Sequence, residues 1–415
     1  MCPHYPVVAG SHHSFGPSTY RGAGHGKPVA PWPQWQDRLM MAGGSCPLVA
    51  RRLAAQLLSG TPARSTAEVA GRLLAIQAQD PRGARLAVRA RSHGLSAADV
   101  DGALTRDRSV VVTWLNRGTL HLIRAEDYWW LHPLTTPPLF TGNARRLAQE
   151  GVPPQDAERA VAVIERSLAA EGPLTRAQLS ERIAAAGVRT QGQAIVHLLA
   201  LASLRGLTIR GPMAGREQAY VLVRDWLGTR PAPLHRDRAL AELAGRYLAG
   251  HGPASDRDLA QWAGLPLGDA RRGLAAIAHR LADRDDGLAS LAAQPGDPGQ
   301  PENSGPAGDR GQPGSHARPH PPLPPPRLLG AFEPVLLGWS SREPILGAHG
   351  RLVVAGGMFR PFALVRGRAV GTWTMPGGKV ALAPFAPLPP ADAAALAADA
   401  ADVERFLSDK VSPAR

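Results

Sequence analysis

Hydrophobic positions in residues 47–145 follow a helical period at first and then cluster as they do in β-strands. Apolar residues three and four positions apart predict amphipathic helices, and a serine or threonine just before such a stretch can cap its first turn. Further on, the β-branched run Ser109–Ile123 is divided by Asn116-Arg117-Gly118, which predicts a hairpin turn. Helices followed by a two-stranded ribbon predict a winged-helix fold. The predicted helices cover Val49–Leu58, the stretch from Ser65 or Thr66 to Gln77, and Ala97–Thr105 behind the cap Ser96.

Residues 155–232 repeat this pattern more clearly. Three helical stretches precede two apolar strands, and the loop Gly211–Arg216 lies between the strands. This order is typical of a helix-turn-helix with a wing. The phrase Gly172–Leu179 is similar to Gly252–Leu259, which predicts a third copy over 236–292 with a weak or missing wing. The predicted helices are Asp156–Ala170, Arg176–Ala186 behind the cap Thr175, Thr190–Leu204, a helix ending at Leu248, Asp256–Ala263 behind the cap Ser255, and Asp269–Leu281.

The remaining stretches differ in composition. Residues 1–44 predict a disordered or non-native extension, and residues 293–326 predict a Pro/Gly-rich linker. Short apolar runs separated by turns predict a small antiparallel β-barrel or sheet near the C-terminus, closed by a helix over Ala391–Leu407. The predicted fold is therefore mainly α with β wings: tandem winged-helix domains plus a small C-terminal β-barrel. The predicted domains are winged helix 1 at 45–145, winged helix 2 at 146–232, winged helix 3 at 233–292, the barrel at 327–388, and a C-terminal helix and tail at 389–415.

Bulk composition narrows the class of protein. The 415 residues are 44% hydrophobic, which suffices for a large core, yet no apolar run approaches the roughly 18 residues of a membrane helix. The two cysteines, Cys2 and Cys46, exclude a disulfide scaffold and a cysteine-rich zinc site. The N-terminus lacks a charged head followed by an apolar core, so no secretory signal is predicted. We therefore expect a cytoplasmic protein that contacts no membrane and holds no metal or cofactor.

The formal net charge of +13 predicts a polyanionic partner, most simply nucleic acid. Nearly all of this charge is arginine in a chain also rich in Ala, Gly and Pro, so part of it reflects GC-biased coding and solvated surface. Arginines at ribbon tips, at a recognition-type helix and just behind residue 80 are candidates for phosphate contacts, which fix register without reading sequence. For each of them the alternative is an ordinary exposed arginine. The candidates are Arg82, Arg85, Arg117, Arg189, Arg210 and Arg216.

A group of polar side chains follows the apolar stretch 69–76. Gln77, Gln79 and Asp80 directly precede Pro81. Because proline disfavours helix at the residue before it, the sequence predicts that the helix ends at this point. Residues i and i+2 lie about 200° apart on a regular helix, so the two glutamines can converge only where the helix has unwound. On this stretch alone, a solvated helix end is the alternative to a functional site.

Five short motifs follow one another along the chain. They are Ala-Arg-Arg-Leu-Ala at 50–54, Ala-Ile-Gln-Ala-Gln-Asp at 75–80, Asn-Arg-Gly-Thr-Leu-His-Leu at 116–122, Leu-Leu-Gly-Ala-Phe-Glu-Pro-Val-Leu-Leu-Gly at 328–338, and Val-Gly-Thr-Trp at 370–373. With these motifs in this order, the chain resembles the AlkZ-type DNA glycosylases, which are often described as winged-helix DNA-binding-domain proteins. The resemblance spans about residues 50–385, and it departs from the family at Gly330 and Trp339, where proline and tyrosine are expected, and in the long 293–326 insertion. We expect these departures to affect the barrel and its linker more than the catalytic motif.

The resemblance implies excision of N-alkylated purines, including bulky adducts and interstrand crosslinks, with Gln77 and Gln79 as the catalytic pair. Alkylation at N7 or N3 makes a purine cationic, so cleavage of its glycosidic bond releases a neutral base and needs little acid catalysis. A glutamine carbonyl can hold the attacking water, and a neutral amide is a poor base that serves activated lesions best. Asp80 and His121 are secondary candidates. Their alternatives are a local hydrogen bond to the backbone and an ordinary structural histidine.

The sequence therefore predicts a monofunctional, metal-free DNA glycosylase. We expect its partner to be double-stranded DNA that carries alkylated purines, and we expect a monomer that is nucleoid-associated when on DNA. The alternative is a non-catalytic winged-helix DNA-binding protein, such as a transcriptional regulator, which would bind undamaged duplex with sequence specificity.

Overall fold

The computed structural model describes residues 47–284, 286–292 and 321–408. The predicted N-terminal extension, both cysteines and residues 293–320 of the predicted linker lie outside this range. Local caps account for the first helices: the Ser65 side chain accepts a hydrogen bond from the Glu68 amide, and Ser96 forms a capping box with Asp99. The first elements are α1 (Pro47–Ala55), α2 (Thr66–Leu73), β1 (Ile76–Gln77), α3 (Pro81–Arg89) and α4 (Ala97–Thr105).

The central sheet joins both predicted hairpins. Its strand order is β1-β3-β2-β4-β5, and the turn predicted at Asn116–Gly118 is confirmed. The hairpins are linked by antiparallel pairing of β2 with β4 at Val112 and Arg210. They therefore form one sheet instead of two separate wings, since the pairing uses backbone groups that would otherwise be exposed at two strand edges. The four longer strands are β2 (Val110–Leu115), β3 (Thr119–Arg124), β4 (Thr208–Ala214) and β5 (Glu217–Leu222).

Both faces of the first hairpin are buried. Val112 and Trp114 pack into one apolar core, and Val111 and Leu115 pack into a second core on the opposite face. All six residues of β2 are buried. This explains why β2 reads as a continuous apolar run instead of an alternating one.

The helices between and after the hairpins follow the repeat predicted from sequence. Thr175 and Gln178 form a capping box, while the third helix of this repeat begins at Ala194 instead of the predicted Thr190. The bounds are α5 (Tyr128–Thr135), α6 (Leu139–Gln149), α7 (Pro154–Glu171), α8 (Arg176–Ala185), α9 (Ala194–Leu204), α10 (Val223–Leu227), α11 (Arg236–His251), α12 (Asp256–Ala263) and α13 (Leu267–Ala276).

The third copy has helices but no hairpin among its described residues. Ser255 caps α12 as predicted, with a capping box to Asp258. Where a wing would follow, isolated bridges join Ala254 to Ala289 and Leu281 to Leu291. The tandem winged-helix description therefore remains an interpretation of element order.

The C-terminal region forms an open antiparallel sheet, so of the two predicted alternatives, a small β-barrel or a sheet, the barrel is wrong for the described residues. The strand order is β11-β10-β9-β6, and no pairing joins β6 to β11, as closure would require. A separate two-stranded ribbon pairs β7 with β8, and the predicted closing helix is confirmed as α16. The bounds are β6 (Arg327–Leu329), α14 (Glu343–Leu346), α15 (Gly350–Val353), β7 (Val354–Ala355), β8 (Met358–Phe359), β9 (Phe362–Val365), β10 (Arg368–Thr374), β11 (Ala381–Pro384) and α16 (Pro390–Ser408).

Among the helices in the described ranges, none combines the length and the apolar character needed to cross a membrane.

Candidate active site

The glutamine segment lies on a strand and not at the end of a helix. Helix α2 stops at Leu73, because Leu74 adopts a positive φ of 63° that a helix does not allow. Gln77 then lies on β1, paired with β3. The predicted helix from Ser65 or Thr66 to Gln77 is therefore confirmed as far as Leu73 and wrong beyond it. The apolar residues at 73, 74 and 76 mimic a helical face, but all three are buried because this stretch passes through the core.

Pro81 begins a helix instead of ending one. It occupies the first turn of α3, where its missing N–H costs nothing. Asp80 is the N-cap of α3, and its Oδ1 accepts a hydrogen bond from the Arg82 amide at 3.0 Å. The carboxylate of Asp80 thus has a local structural partner, at a helix start where the sequence predicted a helix exit.

The extended backbone brings the two glutamine side chains together. Residues i and i+2 of a strand lie on the same face, and Gln77 Nε2 donates a hydrogen bond to Gln79 Oε1 at 2.6 Å. Gln77 is buried, with 6% of its surface accessible, whereas Gln79 is exposed. Within the described residues the side-chain carbonyl oxygen of Gln77, Oε1, accepts no hydrogen bond. The pair therefore reaches from the interior to the surface and offers one free carbonyl acceptor.

His121 lies directly opposite Gln77 in the register of β1 and β3. Its ring Nδ1 is 2.9 Å from the Thr119 carbonyl oxygen. Burial, helped by the nearby charge of Arg117, lowers the pKa of His121 to about 3. The ring is therefore neutral near pH 7, with the proton on Nδ1 donated to Thr119 and a lone pair on Nε2.

Two of the candidate arginines lie close to this segment with different partners. Arg82 is exposed in the first turn of α3, and its guanidinium contacts the sulfur of Met375. Arg85 is half-buried, and its Nε donates to Asp101 at 2.8 Å. Arg82 forms no salt bridge with any described carboxylate, whereas Arg85 is already paired.

The second hairpin adjoins the same segment. Arg85 Nη2 lies 3.6 Å from Met213 Sδ on β4. A small cavity is lined by Ala78, Pro81 and Gln218, among others. Arg216 lies in the turn of this hairpin, two residues from Gln218, where it is exposed and forms no salt bridge within the described ranges.

The other three candidate arginines have structural partners. Arg117 Nη1 donates to the carbonyl oxygen of Trp262 at 2.5 Å, at the C-terminal end of α12. Arg189 Nε donates to the Glu150 carbonyl oxygen at 2.9 Å. The third, Arg210, stacks over the Trp114 and Tyr220 rings, with its guanidinium carbon 5.1 and 4.9 Å from the two ring centres.

Sequence reasoning missed that the C-terminal region contacts the site. A Cβ at Gly83 would lie 2.4 Å from the Ala331 carbonyl oxygen, and one at Gly330 would lie 3.1 Å from the Gly83 Cα. Residues 330–331 therefore pack against the first turns of α3, directly after the glutamines. The departure at Gly330 thus contacts the helix that directly follows the catalytic motif, a neighbour that the sequence did not indicate. The sequence motif at 328–338 marks this segment as important. It did not show that the segment contacts Gly83, because the two are far apart along the chain.

Trp339, the second departure, is buried away from the glutamines. Its indole Nε1 donates to the His251 carbonyl oxygen at 2.8 Å, and the Arg52 guanidinium lies 4.7 Å from its ring centre. A tyrosine hydroxyl at this position would have to replace that hydrogen bond. Across the described part of the chain, no group of three or more His, Cys, Asp and Glu side chains is arranged to hold a metal ion.

Comparisons with known proteins agree on one family. A family model described as DNA glycosylase AlkZ-like matches residues 70–406. A curated interstrand DNA cross-link repair glycosylase from Streptomyces sahachiroi is 26% identical over 365 residues, which cover 80% of this chain and 88% of that protein. The solved structure of Streptomyces sahachiroi DNA glycosylase AlkZ matches with a TM-score of 0.66 at 24% identity, covering 87% of this chain and 95% of that one. The structural match supports the overall fold.

Proposed function

Because the chain belongs to the AlkZ-like DNA glycosylase family, we propose that this DNA glycosylase hydrolyses the N-glycosidic bond of cationic N-alkylated purines. The observation that carries the proposal is the hydrogen bond from Gln77 Nε2 to Gln79 Oε1 at the surface end of β1. Family membership also favours an enzyme over the non-catalytic regulator considered from the sequence.

The paired glutamines suit the placement of a water molecule. The amide of Gln77 is anchored on Gln79, so the orientation of the Gln77 carbonyl is defined. That carbonyl oxygen can accept a hydrogen bond from a water and direct the water's lone pair at the anomeric carbon. A preorganised dipole of this kind also stabilises positive charge that builds up on the sugar.

The surrounding groups do not supply strong acid or base catalysis. Asp80 accepts a backbone hydrogen bond at the start of α3. His121 is neutral near pH 7, since burial lowers its pKa to about 3, and its Nδ1 proton is engaged by a carbonyl. This chemistry fits a leaving group that is already activated, as an alkylated purine is, and fits an uncharged base poorly.

The exposed position of Gln79 supports the extension of this proposal to bulky lesions. A substrate can approach Gln79 from solvent without first entering an enclosed pocket. The Streptomyces sahachiroi relative is named an interstrand DNA cross-link repair glycosylase. We therefore include bulky adducts and interstrand crosslinks among the proposed substrates.

For DNA binding we propose a division among the six arginines. Arg82 and Arg216 are exposed and form no salt bridges with described residues. Arg82 closely follows the glutamine segment, and Arg216 is two residues from Gln218, which lines a cavity together with Ala78. These two arginines are proposed as direct phosphate contacts. Arg85, Arg117, Arg189 and Arg210 are proposed as secondary contacts, because the guanidinium of each already has a carboxylate, carbonyl or aromatic partner. We also propose that the protein is a monomer and that it acts on nucleoid DNA in the cytoplasm.

The test is excision from a duplex that carries one N7-alkylguanine, read as strand cleavage at the abasic site. Changing Gln77 or Gln79 to alanine should lower the single-turnover rate by about 100-fold or more, with DNA affinity nearly unchanged. Gln149→Ala, an exposed glutamine on α6, is the matched control and should keep the wild-type rate. Wild-type excision by a Gln77→Ala/Gln79→Ala double variant would falsify the proposed site.

A further inference from the structure

A row of polar side chains continues inward from Gln77 along the first hairpin. In the sheet register, Gln77 is opposite His121, and His121 is opposite Thr113 on its other side. Directly opposed residues project from the same face with Cβ atoms about 5 Å apart. Thr119 lies two residues before His121, on the same strand face, and Asn116 follows in the turn. We call Gln77, His121, Thr113, Thr119 and Asn116 the polar row.

Several atoms of the polar row are buried without a hydrogen-bond partner in the described residues. They are Thr113 Oγ1, Thr119 Oγ1, and both Oδ1 and Nδ2 of Asn116. Thr113 is 1% exposed and Asn116 is fully buried. An unsatisfied buried polar group costs about 1–3 kcal/mol, so several of them on one hairpin call for a further partner.

The apolar surroundings indicate that these polar groups are not needed for packing. Val111, Leu115 and Ile123 project from the same face into an apolar core. A valine would fill the place of Thr113 with the same shape. Buried polar atoms in such a setting are typically satisfied by ordered water, which makes two to four hydrogen bonds per molecule.

We propose that the polar row binds a chain of ordered water molecules that ends at Gln77 and supplies the water that attacks the sugar. Thr113 and Asn116 are positioning residues, since they act through water and do not touch the substrate. The inference rests on the proposed function. A duplex bound over Gln79 covers the exposed side of the glutamine pair, and the row provides water from the opposite, buried side.

The hydrolysis balances along this route. A water oxygen forms a bond to the anomeric carbon while the carbon–nitrogen bond breaks, and that bond's electron pair leaves with the purine. The cationic purine thereby becomes neutral, and the proton that the attacking water loses is released to bulk solvent, because His121 is too weak a base to keep it. His121 Nε2 accepts a hydrogen bond from a water in this chain, because its Nδ1 already donates to the Thr119 carbonyl.

The first experiment separates the rate of excision from DNA binding. Thr113→Val removes the hydroxyl at constant shape and should lower the single-turnover rate about tenfold, with the Kd for the lesion duplex unchanged within about twofold. Thr113→Ser keeps the hydroxyl and should have a single-turnover rate close to that of the wild type. Tyr128→Phe removes another buried hydroxyl that has no described partner and lies outside the row, and it should leave the rate unchanged.

The outcomes distinguish this inference from the proposed function. Failure of the wild-type protein to excise any alkylated purine would overturn the proposed function, whereas an active wild type with a fully active Thr113→Val would overturn the water chain. A high-resolution crystal structure of the wild-type protein gives an independent readout, and it decides the matter if Thr113→Val does not fold. Ordered water bonded to Thr113 Oγ1 and Asn116 is expected, and apolar contact alone at both residues would refute the chain.

Discussion

The two hairpins of the central sheet, residues 110–124 and 208–222, have similar sequence patterns and different surroundings. In the first hairpin Asn116 is fully buried, and Arg117 donates to backbone carbonyls at the end of α12. In the second, Gly215 and Arg216 form an exposed turn, and a bulge interrupts the pairing between Arg210 and Met213. One turn is docked on a helix, and the other is open to solvent.

This difference decides what each hairpin can do. The docked hairpin holds His121 against Gln77 in a fixed register, with apolar cores on both faces, which suits precise positioning. The open hairpin presents Arg216, an exposed cation without a salt bridge among the described residues, which suits contact with a phosphate. Both were predicted as DNA-binding wings, because a turn motif does not report what packs against the turn.

The largest expected difference between the two turns comes from one glycine at each of them. Gly264 has a φ of +67°, and a Cβ there would lie 2.7 Å from the Asn116 carbonyl oxygen, whereas Gly215 has a φ of +63° with nothing within 4 Å. Gly264→Ala combines backbone strain with a clash and should lower the free energy of unfolding by about 3 kcal/mol or more. Gly215→Ala should cost about 1–2 kcal/mol from strain alone. Urea unfolding measures both, and equal losses would show that the first turn is not docked.

The second-largest effect should come from acid, which is expected to destabilise the docked hairpin. The folded-state pKa of His121, about 3, lies below the ordinary value near 6.5. The unfolded chain therefore binds a proton in this interval that the folded chain does not, and the free energy of unfolding falls as pH falls. Between pH 6.5 and pH 5, the titration of His121 should lower the free energy of unfolding by about 2 kcal/mol.

A non-titrating variant isolates this contribution from those of His132 and His251, whose pKa values burial also lowers. Urea unfolding of His121→Gln should show a shallower pH dependence than the wild type, by about 2 kcal/mol over that interval. The second hairpin contains no histidine. Parallel pH profiles for variant and wild type would mean that His121 takes up protons in the folded protein.

The smallest expected effects come from the two turn arginines, and they should be opposite in kind. Arg117→Ala removes hydrogen bonds from a charged donor and should cost about 1.5 kcal/mol of stability, with a smaller change in DNA binding than Arg216→Ala, because Arg117 is proposed only as a secondary contact. Arg216→Ala should change stability by less than about 0.5 kcal/mol but reduce the slope of log K against log salt for DNA binding by about 1. Urea unfolding and salt-dependent binding assays give the two readouts. If Arg117→Ala changes the salt slope and Arg216→Ala does not, the assignment of the hairpins is reversed.

Local signals in the sequence were sufficient for much of the secondary structure. The helices Ala97–Thr105 and Asp256–Ala263 were predicted with their bounds, because Ser96 and Ser255 form capping boxes within three residues. The Asn116–Gly118 turn was predicted for a similar reason, since it depends on adjacent residues. The family was also identified from short motifs, and the family model over residues 70–406 confirms it.

The arrangement around the glutamines was decided by tertiary structure. Pro81 can end one helix or begin the next, and the choice followed from the pairing of β1 with β3, more than forty residues away along the chain. The pairing of Val112 with Arg210 and the close approach of Ala331 to Gly83 likewise join residues that are far apart along the chain. Local sequence preferences specify which residues cap, turn and pack, because those preferences act over a few residues. Only the folded chain decided which of them meet at Gln77 and Gln79, because backbone pairing and close packing depend on partners that are distant in sequence.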